Sequence, residues 1–324
     1  MYEKNRKSCW SCGNSKVIKW GYQNGKSRFR CKDCGIYFSW SNTSVKQANS
    51  FSWFKKWVIE KQTFATLSRD SKHSKRALQN LFSIYLKQAP VYRISKREKV
   101  HLLIDGTYIS GNICLIIYRD NDIKYTQLYR ITTDEIYEEI REDLVNLKSM
   151  GANLSSITCD GHPAILKAIK KVFPKITVQR CLFHIQHHAE IRLSQHPKSI
   201  AGIELLNLVK RISWIKTEAD RQYWLRWLVD WDKYHQPFIG EYTIDEKKKK
   251  RYIHKDLRSA RRSIIRALPN MFHFIQQPAI PKTTNGLESF FGHLKDNLSI
   301  HRGLTTQHRK NFIKWYLYFR NKQK

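Results

Sequence analysis

The 324-residue sequence predicts an α/β fold: a sheet of mixed strand direction with helices, extended by a helical block and preceded by a small metal-stapled ribbon and a basic helical segment. Three observations carry this reading. Two Cys-x2-Cys pairs lie near the start of the chain. Three apolar runs of strand character are followed by helix, strand, helix and strand patterns. Residues 185–280 carry apolar positions only at helical spacing.

Composition narrows the class. Hydrophobic residues are 41% and charged residues 27%, as in globular chains and unlike disordered ones. Lys plus Arg number 59 against 27 Asp plus Glu, a net charge of +32 whose self-repulsion calls for a polyanionic partner, nucleic acid first. The charge is uneven. Residues 1–92 hold 18 basic and 4 acidic residues and residues 185–324 hold 27 and 12, whereas residues 93–184 hold 14 and 11. A nearly neutral middle between basic flanks is expected of a segment that clusters carboxylates while its surroundings hold phosphates. No apolar run approaches the ~18 residues of a membrane helix, and the first ten residues lack the apolar stretch of a secretory signal. The expectation is therefore a soluble cytoplasmic protein with no membrane partner.

Taking the elements in order, Cys9, Cys12, Cys31 and Cys34 have the spacing of a four-cysteine zinc site. Gly13 and Gly35 follow the pairs and let the chain turn, and Val17–Trp20 and Ser27–Arg30 read as short strands, so residues 1–45 form a zinc ribbon around one structural zinc. Seven cysteines without a secretory signal do not make a disulfide framework. Residues 46–95 are helical, with apolar-periodic segments at 51–57, 63–67 and 74–82 and a polar turn at Ser71–Ser74. This predicts a helix-turn-helix-like DNA-binding domain presenting Lys75, Arg76 and Gln79 to a groove, the alternative being a basic helical linker.

Strands are expected at 101–105, 112–118 and 124–131, separated by Gly106, Gly111 and the Asp120–Asp122 turn, as three consecutive antiparallel strands. A helix at 133–150, a strand at 156–160, a helix at 163–172 and a strand at 177–181 complete a mixed sheet. Beyond it, Trp224, Trp227, Leu228 and Trp231 form an apolar stripe at helical spacing, read as core rather than as a base-stacking platform. Lys247–Arg251 is a basic loop, and Phe312, Trp315, Tyr316 and Phe319 share one face of the last helix.

Asp105 and Asp160 stand at corresponding places, each closing an apolar strand and preceding Gly, where ligands bind at a sheet edge. Either alone is a common turn former; two in one sheet point to a site. Glu288 is the candidate third carboxylate, and Lys295, seven residues later on the same helical face, is placed to meet a phosphate. Asn285-x-x-Glu288 also has the spacing of a capping box, which spacing alone favours.

Thr-Cys-Asp-Gly-His162 with the helical block to Pro174, Gln179-Arg-Cys-Leu-Phe-His184 and Thr284-Asn-Gly-Leu-Glu-Ser289 together resemble the bacterial insertion-sequence transposases of the mutator-like DDE class, in the variant with an N-terminal zinc ribbon. The resemblance implies an RNase H-like catalytic core at 96–184 and 281–324, interrupted by an α-helical insertion at 185–280. It implies Asp105, Asp160 and Glu288 as catalytic ligands of two Mg²⁺ ions. His162 and the Cys181-x2-His184 pair would support the core beside them; read instead as half of a second metal site, that pair lacks two nameable partners. The implied activity is metal-dependent cleavage and strand transfer of an insertion sequence. The implied partner is double-stranded DNA of the nucleoid, element ends and target, bound by a homodimer or higher oligomer. The alternatives are a catalytically inactive transposase-derived DNA-binding protein and an RNase H-like nuclease that cuts without joining.

Overall fold

The computed structural model describes residues 8–322 except 10, 24, 40, 41 and 111, with the backbone alone for 42–49. The first seven residues of the expected ribbon and Gly111 of an expected turn therefore lie outside the described residues. The chain divides into two units: one runs up to Arg93 and resumes at Phe290, the other is Ile94–Ser289.

In the first unit, strands β1 (Val17–Gln23), β2 (Lys26–Cys31) and β3 (Tyr37–Ser39) form an antiparallel sheet in the order β1-β2-β3. Three helices follow: α1 (Asn42–Ile59), α2 (Phe64–Ser71) and α3 (Lys75–Leu86). The turn between α2 and α3 is short because Lys72 takes a left-handed conformation and the Ser74 hydroxyl accepts from the Ala77 N–H, starting α3 at once. Phe54 and Trp57 of α1 and Phe82 of α3 are fully buried. The last helix, Thr306–Lys322, contributes Phe312, Trp315 and Phe319 to the same core, with the Phe54 ring 5.5 Å from that of Trp315. The Trp315 indole donates to Tyr85 O at 3.0 Å, so burial leaves no orphan N–H there. Of residues 281–324, expected to close the sheet-bearing core, the stretch from Phe290 on groups with the N-terminal helices instead.

The second unit is built on a five-stranded sheet of β4 (Val100–Ile109), β5 (Ile113–Asp120), β6 (Tyr125–Thr132), β7 (Leu154–Cys159) and β8 (Thr177–Arg180), in the order β6-β5-β4-β7-β8. The first three strands are antiparallel neighbours, as expected, and β7 and β8 add in parallel. Parallel pairing requires crossovers, supplied by α4 (Tyr137–Ser149) and α5 (Pro163–Val172). Leu102, Ile104, Cys114, Ile116 and Ile157 of the sheet meet Ile140, Leu144 and Ile169 of these helices in one core. Each fully buried aliphatic side chain there is worth roughly 1.5–3 kcal/mol relative to exposure. Asp105 is not at the end of its strand, because β4 continues four residues beyond it and keeps its pairing to β5 through Ile109.

Helices α6 (Leu182–Leu193), α7 (Ile200–Arg211), α8 (Glu218–Gly240) and α9 (Lys255–Ala267) form a second core within this unit. The Trp stripe packs inside it, and the indoles of Trp224 and Trp231 donate to Leu208 O and Ala201 O at 2.9 and 3.0 Å. One expectation fails here: the helical block contains a two-stranded hairpin, β9 (Tyr242–Ile244) and β10 (Lys250–Tyr252). Three-residue, solvent-exposed strands carry no apolar alternation from which to read them. The short α10 (His273–Gln276) leads through a turn and loop to α11 (Asn285–Ile300), and the last helix is α12.

Candidate functional site

Two groups of side chains have the composition of metal centres. The first is Cys9, Cys12, Cys31 and Cys34, whose sulfurs all lie within 4.8 Å of one another. Cys9 meets Cys34 at 3.6 Å and Cys12 meets Cys31 at 3.5 Å, and all four are unbridged. Four thiolates around one zinc ion stand ~3.8 Å apart, so this donor set has the composition and spacing for that ion. Contact with Cys9 holds the Cys12 thiol well below the ordinary range, while the same contact raises the thiol of Cys9. Tyr318 ties the knuckle to α12 by donating to Cys12 O at 2.7 Å.

The second group is Asp105, His184 and Glu288, whose ligand atoms also lie within 4.8 Å of one another. Three elements deliver them. Asp105 is buried within β4, its carboxylate accepting the Gly106 N–H at 2.9 Å. His184 sits in the first turn of α6, which begins where β8 ends. Glu288 arrives on α11 because the return segment is sewn to the sheet: Thr158 donates to Pro281 O at 2.8 Å and the Leu182 N–H to Lys282 O at 3.0 Å.

The buried Thr284 completes that seam. Its N–H meets the Cys181 sulfur at 3.2 Å and its hydroxyl stands 3.4 Å from both Cys181 Sγ and His184 Nδ1. The opposite ring nitrogen, Nε2, lies 3.4 Å from Glu288 Oε1. Cys181 is thus a buried clasp and His184 a member of the candidate ligand group rather than a bystander. Thr284 escapes sequence reading because nothing distinguishes a threonine before a helix from an ordinary cap. The capping-box reading of Glu288 loses its register: α11 starts at Asn285, which puts Thr284 at the cap. Glu288 Oε1 is buried and has no hydrogen-bond partner.

Asp160 is outside that three-residue group but close to it. It follows Cys159, which pairs in register with Ile104, the residue before Asp105. Its carboxylate accepts the His162 N–H at 2.8 Å, closing a turn at Gly161, which has φ +90°. A side chain at Gly161 would collide with the Arg180 guanidinium, which donates to Asp160 O at 3.1 Å. His162 precedes α5 at its N-cap position without a side-chain capping bond, with Nδ1 3.3 Å from the carboxylate of Glu135, a residue the sequence reading did not single out.

The electrostatics of the cluster fit a divalent cation. Burial pushes the Asp105 carboxyl up to about 7; His184 opposes this, and the charges of Asp160 and Glu288 add to it. Burial disfavours the His184 imidazolium, but the Cys181 sulfur and the Asp105 and Asp160 carboxylates outweigh it and hold this histidine up to about 9. Among the described residues no Lys or Arg pairs with Asp105 or Glu288. Mutually repelling, desolvated carboxylates with an orphan oxygen are a donor set that a hard dication satisfies.

The remaining predicted contacts lie elsewhere. Lys75, Arg76 and Gln79 are exposed on α3, and Lys295 is exposed on α11. Lys247–Arg251 forms the exposed tip and second strand of the β9–β10 hairpin, where Arg251 pairs with Asp245 at 2.9 Å. No helix among the described residues is long and apolar enough to cross a membrane. No curated protein matches the chain. Residues 124–188, the stretch from β6 into α6 that holds Glu135, Asp160, His162 and His184, match the family model of the MULE transposase domain, which supports a mutator-like transposase.

Proposed function

We propose that this chain is a DDE transposase that cuts and joins the DNA of an insertion sequence at a divalent-cation centre formed by Asp105, Asp160 and Glu288, with His184 beside them. The observation that carries the proposal is the meeting of Asp105, His184 and Glu288 within 4.8 Å, next to Asp160, in a unit of which residues 124–188 match a transposase domain. The strand order β6-β5-β4-β7-β8 with an antiparallel β5 supports an RNase H-like core, and α6–α9 with their hairpin are its helical insertion. The four cysteines would hold one structural zinc.

Two Mg²⁺ ions bound at the carboxylates would supply charge neutralisation at the scissile phosphodiester, first with water and then with a released 3′-hydroxyl as attacking group. The chain's own residues do the positioning. Asp105 is fixed mid-strand by the sheet ladder and its Gly106 bond, so its oxygens cannot follow a departing strand. Thr284 and Cys181 hold the start of α11, and with it Glu288, against the sheet. His184, between Thr284 and Glu288, keeps that carboxylate turned toward Asp105. The exposed basic residues of α3 and of the hairpin would bind backbone phosphates of element ends and target, and the acting species is a homodimer or higher oligomer on DNA.

Incubating the purified chain with labelled element ends, Mg²⁺ and a target plasmid tests this. Joined product is expected; binding without cleavage would identify an inactive DNA-binding descendant, and cleavage without joining a nuclease.

A further inference from the structure

Glu135 lies in the turn between β6 and α4, yet its side chain is only 9% exposed. Turn carboxylates usually stay in water, because burying one without a cationic partner costs several kcal/mol. Among the described residues no Lys or Arg pairs with it; its close partner is the His162 ring, at 3.3 Å, and that ring nitrogen makes no hydrogen bond. Its surroundings worsen the problem: burial first and the Asp160 carboxylate next hold the Glu135 carboxyl above its ordinary range, with His162 and His184 opposing.

The backbone has also made room for it. Gly106 follows Asp105 in the middle of β4, and a Cβ there would overlap the Glu135 carboxylate. A glycine inside a central strand weakens the strand and marks a close approach. What approaches here is the Glu135 carboxylate, against the β4 backbone one residue past Asp105 and linked to Asp160 through His162, whose ring it meets and whose N–H the Asp160 carboxylate accepts.

We propose that Glu135 is a fourth carboxylate of the cation centre, holding a divalent ion jointly with Asp160 next to the ion held by Asp105 and Glu288. The inference rests on the reading of this cluster as a divalent-cation site. It gives Asp160 the partner it lacks in the three-residue group. It also accounts for the glycine at position 106, since four carboxylates balance the charge of two dications.

The test is a Mn²⁺ titration of the zinc-loaded full-length chain, with free aqueous Mn²⁺ followed by its electron paramagnetic resonance signal. Wild-type chain is expected to bind two Mn²⁺. Glu135→Gln should keep one and bind the second more weakly by on the order of tenfold or more. Gly106→Ala, which removes no carboxylate but fills the space Glu135 occupies and so displaces it, should reproduce that loss. Glu135→Asp should restore part of it, and Glu138→Gln, exposed on α4, should bind as wild type. Circular dichroism melts establish that each variant is folded. A Glu135→Gln isotherm superimposable on wild type overturns the proposal and leaves Glu135 only orienting His162. A wild-type chain that binds no Mn²⁺ overturns the cation reading beneath it.

Discussion

Acid should loosen the helical part of the first unit through a single buried histidine. His301 is 7% exposed, its ring 4.3 Å from that of Trp57 and 5.3 Å from that of Phe312, with Nε2 3.2 Å from Trp57 O. Burial outweighs the favourable carbonyl contact and brings its pKa down to about 4, against 6.5 for an ordinary histidine. The folded chain therefore keeps His301 neutral while the unfolded chain protonates it. Stability is complete above pH ~6.5 and is lost as pH falls toward 4, because the unfolded state binds the extra proton. At about 1.4 kcal/mol per pH unit, the loss is roughly 2 kcal/mol by pH 5 and about 3 kcal/mol at pH 4. Hydrogen exchange of peptides covering the end of α1 and the start of α12, at pH 7 and pH 5, reads this directly when wild type is compared with His301→Gln. Gln donates to the same carbonyl but does not titrate, so other acid-sensitive groups cancel in the difference. Protection should fall about thirtyfold more in wild type than in the variant. Equal loss in both would refute the assignment of a buried neutral histidine.

Three further outcomes are expected. Elemental analysis should find one zinc per wild-type chain and none in Cys31→Ser, whose ribbon should lose exchange protection over residues 9–34; zinc retained by the variant would contradict the four-thiol site. Replacing Lys247–Arg251 with neutral residues should reduce the slope of log affinity against log salt by ~0.9 for each phosphate contact removed; an unchanged slope would put the hairpin away from DNA. Glu288→Gln should melt as wild type yet lose cleavage and joining, because Gln preserves any helix-start hydrogen bond but not the charge a dication needs; wild-type joining would return Glu288 to a structural role.

The parts of the molecule readable from sequence are those where one strong physical signal acts alone. Doubled Cys-x2-Cys spacing has few uses other than metal binding, and the thiols meet as expected. The apolar run in β5 is buried at nearly every position, which a central strand covered on both faces requires. Signals failed where a residue's local and tertiary roles look alike. Gly106 reads as a turn after a strand, but the strand runs on and the glycine serves a neighbour that arrives from 29 residues away. Glu135 reads as an ordinary acid near a helix start, and only the sheet brings it to Asp160. His184 sits three residues from a cysteine and reads as that cysteine's companion. Its place beside Asp105 and Glu288 depends on a return of the chain some 100 residues later, which no spacing encodes.

Changing Asp105 or Asp160 to Asn, each beside wild type, tests the central claim most directly when cleavage, joining and DNA binding are measured on the same labelled element ends in Mg²⁺. Asn nearly preserves shape and removes one ligand charge, so the account predicts DNA bound with wild-type affinity and neither cleaved nor joined. Joining by either variant at the wild-type rate would contradict it.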